Sequence, residues 1–85
     1  MKKVVIYTTD SCPYFAKSKS LLNKKNINYE VINVGNNDQL REDMVAKAGG
    51  RRTVPQIFID DYHVGGCDDL YEHESQGKLD KLLRE

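Results

Sequence analysis

The stretch that decides the fold covers residues 4–13 and reads Val4-Val5-Ile6-Tyr7-Thr8-Thr9-Asp10-Ser11-Cys12-Pro13. Its first four residues are β-branched or aromatic, which is typical of a buried strand. Polar residues then form a loop, and Pro13 suits the first turn of a helix, where a backbone N–H is not needed. With Ser11 or its neighbour as the N-cap, we predict a strand, a loop and a helix, with Cys12 at the helix N-terminus.

The next residues predict a second strand and a second helix. Helix formers continue as far as Lys24-Lys25, which we expect to be a solvated helix end. Residues 28–34 alternate apolar and polar side chains imperfectly and stop at a Gly-Asn-Asn turn, as a strand does. A helix beginning at Asp38 and closing at Gly49-Gly50 is predicted from apolar residues near helical spacing, namely Leu40, Met44, Val45 and Ala48.

The last third of the chain predicts a hairpin and two helical segments. Residues 56–59 and 62–64 flank a two-residue Asp turn, the pattern of a short antiparallel hairpin. Gly65-Gly66 leads into a third helix, for which Asp68 or Asp69 is the predicted cap. A final amphipathic turn has its apolar positions at Leu79, Leu82 and Leu83.

The predicted order is βαβαββα with a C-terminal helical turn, in one α/β domain over residues 1–85. A strand, a crossover helix and a strand return in the same direction, so the first two strands form a parallel pair. The hairpin adds two antiparallel strands. The expected architecture is a four-stranded mixed sheet flanked by helices, the arrangement of the thioredoxin fold.

Composition and charge exclude several classes of function. Lysine plus arginine number 13 and so do aspartate plus glutamate, which leaves no overall field to attract nucleic acid or an anionic membrane. The apolar runs are too short to span a bilayer, and the first is too short for a signal peptide. Two cysteines far apart do not make a disulfide-rich secreted domain. We therefore expect a cytoplasmic monomer that binds neither nucleic acid nor a membrane.

Cys12 is the candidate nucleophile. A thiol attacks only as the thiolate, and an ordinary cysteine thiol, with a pKa of about 8.5, is mostly protonated at neutral pH. A helix N-terminus stabilises negative charge, so the predicted position of Cys12 favours a reactive thiol. The alternative interpretation is a small buried hydrophobic residue. His63 and His73 are far from Cys12 in sequence and do not indicate a catalytic Cys/His pair.

Three strings in the chain resemble the bacterial class I members of the glutaredoxin family. They are Val-Ile-Tyr-Thr followed by Cys12-Pro13-Tyr14, then residues 53–59, and then residues 65–70. Each string alone is weak evidence, but the three occur in the family's order and separation, and together the match spans nearly the whole chain. The resemblance implies a glutathione-dependent thiol-disulfide oxidoreductase that takes glutathione as co-substrate, acts on glutathionylated or disulfide-containing proteins and needs no metal.

The resemblance also implies a glutathione site. Thr53, Val54 and Pro55 would present a cis proline opposite Cys12, and the backbone of Val54 would pair with the cysteine unit of glutathione as an added strand does. A loop proline before an edge strand is the alternative. Tyr14 would line the same groove with its ring.

The two ends of glutathione carry charges that the chain can match. Gly66 lets the backbone approach a ligand, and the helix starting at Cys67 aims free N–H groups at an anion such as the γ-glutamyl carboxylate. Asp68 would then receive the neighbouring ammonium, although simple helix capping is its alternative role. Arg51 lines up with an arginine that is common in similar family members and would meet the glycine carboxylate. Arg41 and Arg52 are less favoured candidates for the same contact.

The chain departs from the family pattern at two positions. Phe15 stands where dithiol members carry a second cysteine, so the active-site loop of Pro13, Tyr14 and Phe15 predicts a monothiol cycle. Phe15 can be natural, engineered or a sequence error. Thr9 stands where relatives usually have a lysine, which predicts weaker stabilisation of the thiolate. Cys67 is expected to be non-catalytic, with a resolving thiol as its alternative role.

Two other functions share this site. Paired Cys12 thiolates and two glutathiones could hold a [2Fe–2S] cluster, as in some glutaredoxins. Cluster-binding members typically read Cys-Gly-Phe-Ser, so Pro13 and Tyr14 favour the reductase. The other hypothesis is a catalytically impaired or engineered variant that retains the fold and the groove.

Overall fold

The computed structural model describes residues 2–84 and contains four strands and four helices within them. Their bounds in chain order are β1 Val4–Thr8, α1 Pro13–Lys24, β2 Glu30–Asn33, α2 Asp38–Lys47, β3 Gln56–Ile59, β4 Tyr62–Gly65, α3 Cys67–Ser75 and α4 Lys78–Arg84. The predicted order βαβαββα with a helical tail is confirmed. The second strand is shorter than predicted, since only residues 30–33 pair with a neighbour.

The strands form one sheet in the order β2-β1-β3-β4. Strand β1 runs parallel to β2, with Ile6 opposite Val31, and antiparallel to β3, with Ile6 opposite Ile57. Strand β3 pairs antiparallel with β4. Because β1 and β3 are central and their residues are almost all buried, they are the continuous apolar runs that the sequence shows.

Two hydrophobic clusters occupy the two sides of the sheet. The larger one joins β1 and β3 to the helices α1, α3 and α4, and its buried members are Val4, Ile6, Leu21, Leu22, Ile27, Ile57, Ile59, Val64, Leu70, Leu79 and Leu83. The smaller one joins the same strands to α2 and contains Tyr7, Val34, Met44, Ala48 and Phe58. Helices thus cover both faces, and the loops at one end of the sheet are left to form a site.

Lys25 is not the solvated helix end that the sequence predicted. Its side chain is only 17% exposed, and its Nζ lies 2.9 Å from a Glu74 carboxylate oxygen and 2.8 Å from one of Asp80. These contacts raise the pKa of Lys25, with the hydrogen bond to Asp80 as the largest cause and the one to Glu74 next. Lys25 therefore ties the end of α1 to α3 and α4.

None of the helices within residues 2–84 combines the length and the apolar character that crossing a bilayer requires.

Candidate active site

Cys12 is the N-cap residue of α1, with Pro13 in the first position of the helix. The first turn carries no acidic side chain, so no nearby carboxylate within that turn opposes a negative charge on the sulfur. Cys12 is partly exposed and forms no disulfide. The thiol thus lies at a helix N-terminus, as predicted, and the N-cap is Cys12 rather than Ser11.

The loop before β3 faces Cys12. The Val54–Pro55 peptide bond is cis, as the resemblance implied. The Cys12 thiol donates a hydrogen bond to the Val54 carbonyl oxygen, with 3.6 Å between sulfur and oxygen. Pro55 is buried behind this contact, whereas Thr53 is exposed. The main chain of Val54 therefore lies beside the sulfur, where an extended ligand would pass.

The N-terminus of α3 forms another wall of the site. Gly66 is its N-cap, so the prediction that Asp68 or Asp69 caps this helix is wrong. Asp69 instead occupies the third helical position, and its Oδ2 accepts a hydrogen bond from the Gly66 N–H at 2.9 Å. This is the back-reaching half of a capping box, which explains why an acidic residue belongs three positions after the cap.

Asp69 also pairs with Arg51. The Arg51 Nη1 lies 3.2 Å from Asp69 Oδ2. The Gly66 N–H, followed by the Arg51 guanidinium, holds the pKa of Asp69 below its usual value, against the opposing effect of burial. The carboxylate is thus ionised at neutral pH and positions the arginine at the groove.

Gly65 must be a glycine here. Its φ is +115°, a backbone conformation that side-chain-bearing residues rarely adopt, and a Cβ would overlap the Asp69 carboxylate. Gly66 is less constrained, since a Cβ there would make only ordinary van der Waals contacts, the nearest of them with the Pro55 carbonyl oxygen at 3.5 Å. The tight approach of β4 to α3 therefore depends on Gly65.

These elements enclose a groove of about 460 Å³, lined by Tyr14, Arg51, Thr53, Val54, Pro55, Gly66, Cys67, Asp68 and Asp69. All eight residues predicted to contact glutathione lie in this lining, and Asp69 is the addition. Tyr14 is 53% exposed, whereas Cys67 is buried. The structure brings the predicted residues together, and their contacts with glutathione stay a prediction.

The other candidate cations lie outside this lining. Arg52 points to α2, where its Nη2 lies 2.8 Å from a Glu42 carboxylate oxygen. Arg41 belongs to α2 itself. Arg51 is thus the arginine that the groove offers to an anionic ligand.

Phe15 lies in the first turn of α1 and packs against the larger hydrophobic cluster. Its ring is partly buried, and the Lys19 Nζ lies 4.5 Å from the ring centroid. The ring is therefore accommodated by the helix and the core beneath it, and it does not project freely into the groove.

Within residues 2–84, His, Cys, Asp and Glu side chains do not come together in any group of three or more that could hold a metal ion.

A polar chain of three residues, Thr53, Gln56 and His63, lies behind the groove and was not predicted from the sequence. Gln56 is fully buried and forms hydrogen bonds with both Thr53 and His63. The position of His63 in the sequence, far from Cys12, does not indicate this contact. A glutamine inside a run of apolar strand residues was the available signal, because a buried amide needs partners.

Comparison with known proteins identifies the family. The family model described as Glutaredoxin matches residues 4–64. Glutaredoxin 1 of Rickettsia prowazekii (strain Madrid E) is 57% identical over 81 residues, covering 94% of this chain and 85% of the relative. Glutaredoxin 3 of Escherichia coli (strain K12) is 48% identical over 84 residues, covering 99% of this chain and 100% of the relative.

Solved structures of glutaredoxins have the same fold as this chain. The solution structure of glutaredoxin from Brucella melitensis has a TM-score of 0.84 and 49% identity, covering 98% of this chain and 89% of that one. The crystal structure of the buckwheat glutaredoxin–glutathione complex has a TM-score of 0.87 and 29% identity, covering 98% of this chain and 77% of that one. The chain belongs to the glutaredoxin family of glutathione-dependent thiol oxidoreductases, with the thioredoxin fold of that family.

Proposed function

We propose that this chain reduces protein–glutathione mixed disulfides by a monothiol cycle in which Cys12 is the only reacting protein sulfur. The observation that carries the proposal is the make-up of the first turn of α1, where Cys12 is the N-cap and Phe15 occupies the position three residues later. The remaining cysteine, Cys67, is only 6% exposed and belongs to α3. No second thiol thus stands in the same turn as Cys12.

In the first step, the Cys12 thiolate attacks the glutathione sulfur of the mixed disulfide. A new bond forms between Cys12 and the glutathione sulfur, the original S–S bond breaks, and the substrate protein leaves as a thiolate that takes up a proton. The helix N-terminus stabilises the attacking thiolate, and the absence of acidic side chains in the first turn of α1 preserves that effect.

The groove holds glutathione in an orientation that exposes its sulfur to Cys12. The backbone of Val54, whose carbonyl oxygen lies 3.6 Å from the Cys12 sulfur, pairs with the main chain of the glutathione cysteine. The γ-glutamyl carboxylate meets the N-terminus of α3, and the exposed Asp68 carboxylate receives the ammonium. Arg51 attracts the glycine carboxylate, and the ring of Tyr14 closes the groove.

In the second step, a second glutathione thiolate attacks the sulfur of the glutathione bound to Cys12. Oxidised glutathione leaves, and Cys12 returns as a thiolate, so the net reaction consumes one glutathione per protein thiol released. We assign this release to external glutathione because the Phe15 ring offers no sulfur for an internal attack.

The proposed setting is the cytoplasm, where glutathione keeps thiols reduced, and the proposed working form is a monomer. The groove and Cys12 belong to one chain, so the cycle needs no second copy.

The test is a coupled assay with glutathione and a small glutathione mixed disulfide, run on the wild type beside Cys12→Ser and the matched control Cys67→Ser. We expect Cys12→Ser to lose activity and Cys67→Ser to keep it. Mass spectrometry after the first step should find one glutathione on Cys12. Activity that survives in Cys12→Ser, or an intramolecular Cys12–Cys67 disulfide, would contradict the cycle, and an inactive wild type would identify an impaired variant.

Anaerobic reconstitution with iron and sulfide separates the reductase from the cluster carrier. We expect the reconstituted protein to stay colourless, since Pro13 and Tyr14 follow the reductase pattern. Visible absorption with two chains per cluster would contradict that expectation.

A further inference from the structure

Gln56 is a buried amide placed directly behind the groove. It is the first residue of β3, follows Pro55 in the chain and is 0% exposed. Its Nε2 lies 3.0 Å from both the Thr53 carbonyl oxygen and the Thr53 Oγ1. Its Oε1 lies 2.7 Å from the Nε2 of His63. A fully buried amide whose two ends are both bonded holds its neighbours in one arrangement.

The direction of each hydrogen bond follows from the Thr53 carbonyl. A carbonyl oxygen only accepts, so the amide nitrogen of Gln56 must face Thr53 and the amide oxygen must face His63. His63 therefore carries its proton on Nε2 and donates it to Gln56. Burial, and then the positive charge of Arg51, lower the pKa of His63, while Asp69 acts in the opposite direction. The ring is thus neutral at neutral pH and has a single N–H to donate.

His63 is itself held in place. It lies on β4 opposite Phe58, and the two rings stack with centroids 4.9 Å apart and planes 25° apart. Phe58 belongs to the smaller hydrophobic cluster. The polar chain therefore rests on the core at one end and reaches the wall of the groove at the other.

The consequence appears at Thr53, which lines the groove. Its Oγ1 accepts the proton of Gln56, so its own hydroxyl proton is free to be donated toward the groove. The same amide also restrains the carbonyl of Thr53, which adjoins Val54. We propose that Gln56, oriented by His63, is a positioning residue that holds Thr53 and Val54 in the glutathione-binding arrangement and makes the Thr53 hydroxyl a donor toward the ligand.

This inference rests on the proposed glutathione groove but not on the monothiol cycle, and the experiment separates the two. S-methylglutathione cannot form a disulfide, so its Kd reports binding without chemistry. We expect Gln56→Met, which has a similar volume but no amide, to weaken S-methylglutathione by about tenfold, since two donated hydrogen bonds are lost. The far-UV circular dichroism spectrum of Gln56→Met should match that of the wild type, which would show that the affinity is lost without loss of the fold.

The matched control is Ile57→Met, a change at the next and equally buried position of β3. It perturbs packing but leaves the polar chain intact, so its Kd should stay within about twofold of the wild type. A Gln56→Met Kd as tight as that of the wild type, or an equal weakening in Ile57→Met, would overturn the inference. A wild type that does not bind S-methylglutathione would overturn it as well.

His63 supplies a second pair of variants if Gln56→Met does not fold. His63→Phe keeps a ring to stack on Phe58 but removes the N–H, so we expect a weakening of about threefold. His63→Gln restores a donor near the same point and should recover most of the affinity. Equal affinities for His63→Phe and the wild type would show that the direction of the Gln56 amide does not need His63 and would overturn that half of the proposal.

Discussion

The Phe15→Cys substitution tests how the first turn of α1 combines stability with chemistry. Phe15 packs on the larger hydrophobic cluster and lies under the Lys19 ammonium, 4.5 Å from it. Replacing the ring by a thiol removes both contacts and introduces a second sulfur into the turn that holds Cys12. We therefore expect a less stable protein that can close a local disulfide.

The size of the loss follows from the burial of the ring. Truncation of a fully buried phenylalanine costs about 3–5 kcal/mol, and because Phe15 is only partly buried we take about half of that, roughly 2 kcal/mol. Loss of the cation–π contact adds about 0.5 kcal/mol to this destabilisation, and burial of part of the new thiol offsets it by a similar amount. A net loss of about 2 kcal/mol lowers the Tm of a domain of this size by about 8–16 °C.

The assay is thermal unfolding followed by circular dichroism, with a reductant present so that no disulfide forms. The control is Phe15→Ser, which removes the ring without adding a thiol and should lose at least as much stability. A Tm for Phe15→Cys equal to or above that of the wild type would refute the packing argument. Without reductant, Phe15→Cys alone should lose both free thiols of the turn, which thiol titration measures.

Three further predictions concern charge. Thr9→Lys should increase the thiolate fraction of Cys12, measured as faster alkylation at about pH 6. An unchanged rate would show that the absence of a lysine at this position does not weaken stabilisation of the thiolate. The pKa of Asp69 is lowered in the folded protein, so its stabilisation is present above the unfolded pKa of about 3.9 and is lost as the pH falls through the lower folded pKa. Asp69→Asn should therefore be less stable than the wild type at pH 7 in urea unfolding, and the difference should shrink as the pH is lowered below about 3.9. A gap that persists there would contradict this assignment. Lys25→Met should cost about 1 kcal/mol in urea unfolding, since it leaves Glu74 and Asp80 without their common partner, and no change would show that the pairs are only surface contacts.

The backbone fold was predictable from local pattern. Strand β1 is a continuous apolar run, and Pro13 and the Gly-rich turns mark where helices begin and end, so element order followed from short-range signals. The mixed sheet then followed from the handedness and length of the connections. The bounds of β2 were less predictable, because an edge strand with exposed residues has a weak apolar pattern.

The cap of α3 shows why local rules fail where several roles compete for one side chain. Asp68 and Asp69 both suit an N-cap, but Asp69 bonds back to the N–H of Gly66 and also holds Arg51. Only the approach of Arg51 from the loop before β3 distinguishes these possibilities. The prediction of a solvated Lys25 was wrong for the same reason, because its partners belong to helices about 50 residues later in the chain.

The candidate site was predictable in its membership but not in its support. The motif strings named the residues that line the groove, whereas the chain from His63 through Gln56 to Thr53 depends on the pairing of β3 with β4. No spacing rule connects a strand glutamine to the orientation of a loop hydroxyl. Such contacts emerge only when the register of the sheet is known.

Mass spectrometry of a single turnover tests the monothiol cycle through Cys12 most directly. Wild-type protein is mixed with a glutathionylated peptide; one sample is quenched before free glutathione is added, and a second sample is quenched afterwards. We expect one glutathione on Cys12 and none on Cys67 before free glutathione is added, and release of that glutathione as oxidised glutathione afterwards. Unmodified Cys12 beside a reduced peptide, or a Cys12–Cys67 disulfide, would contradict it.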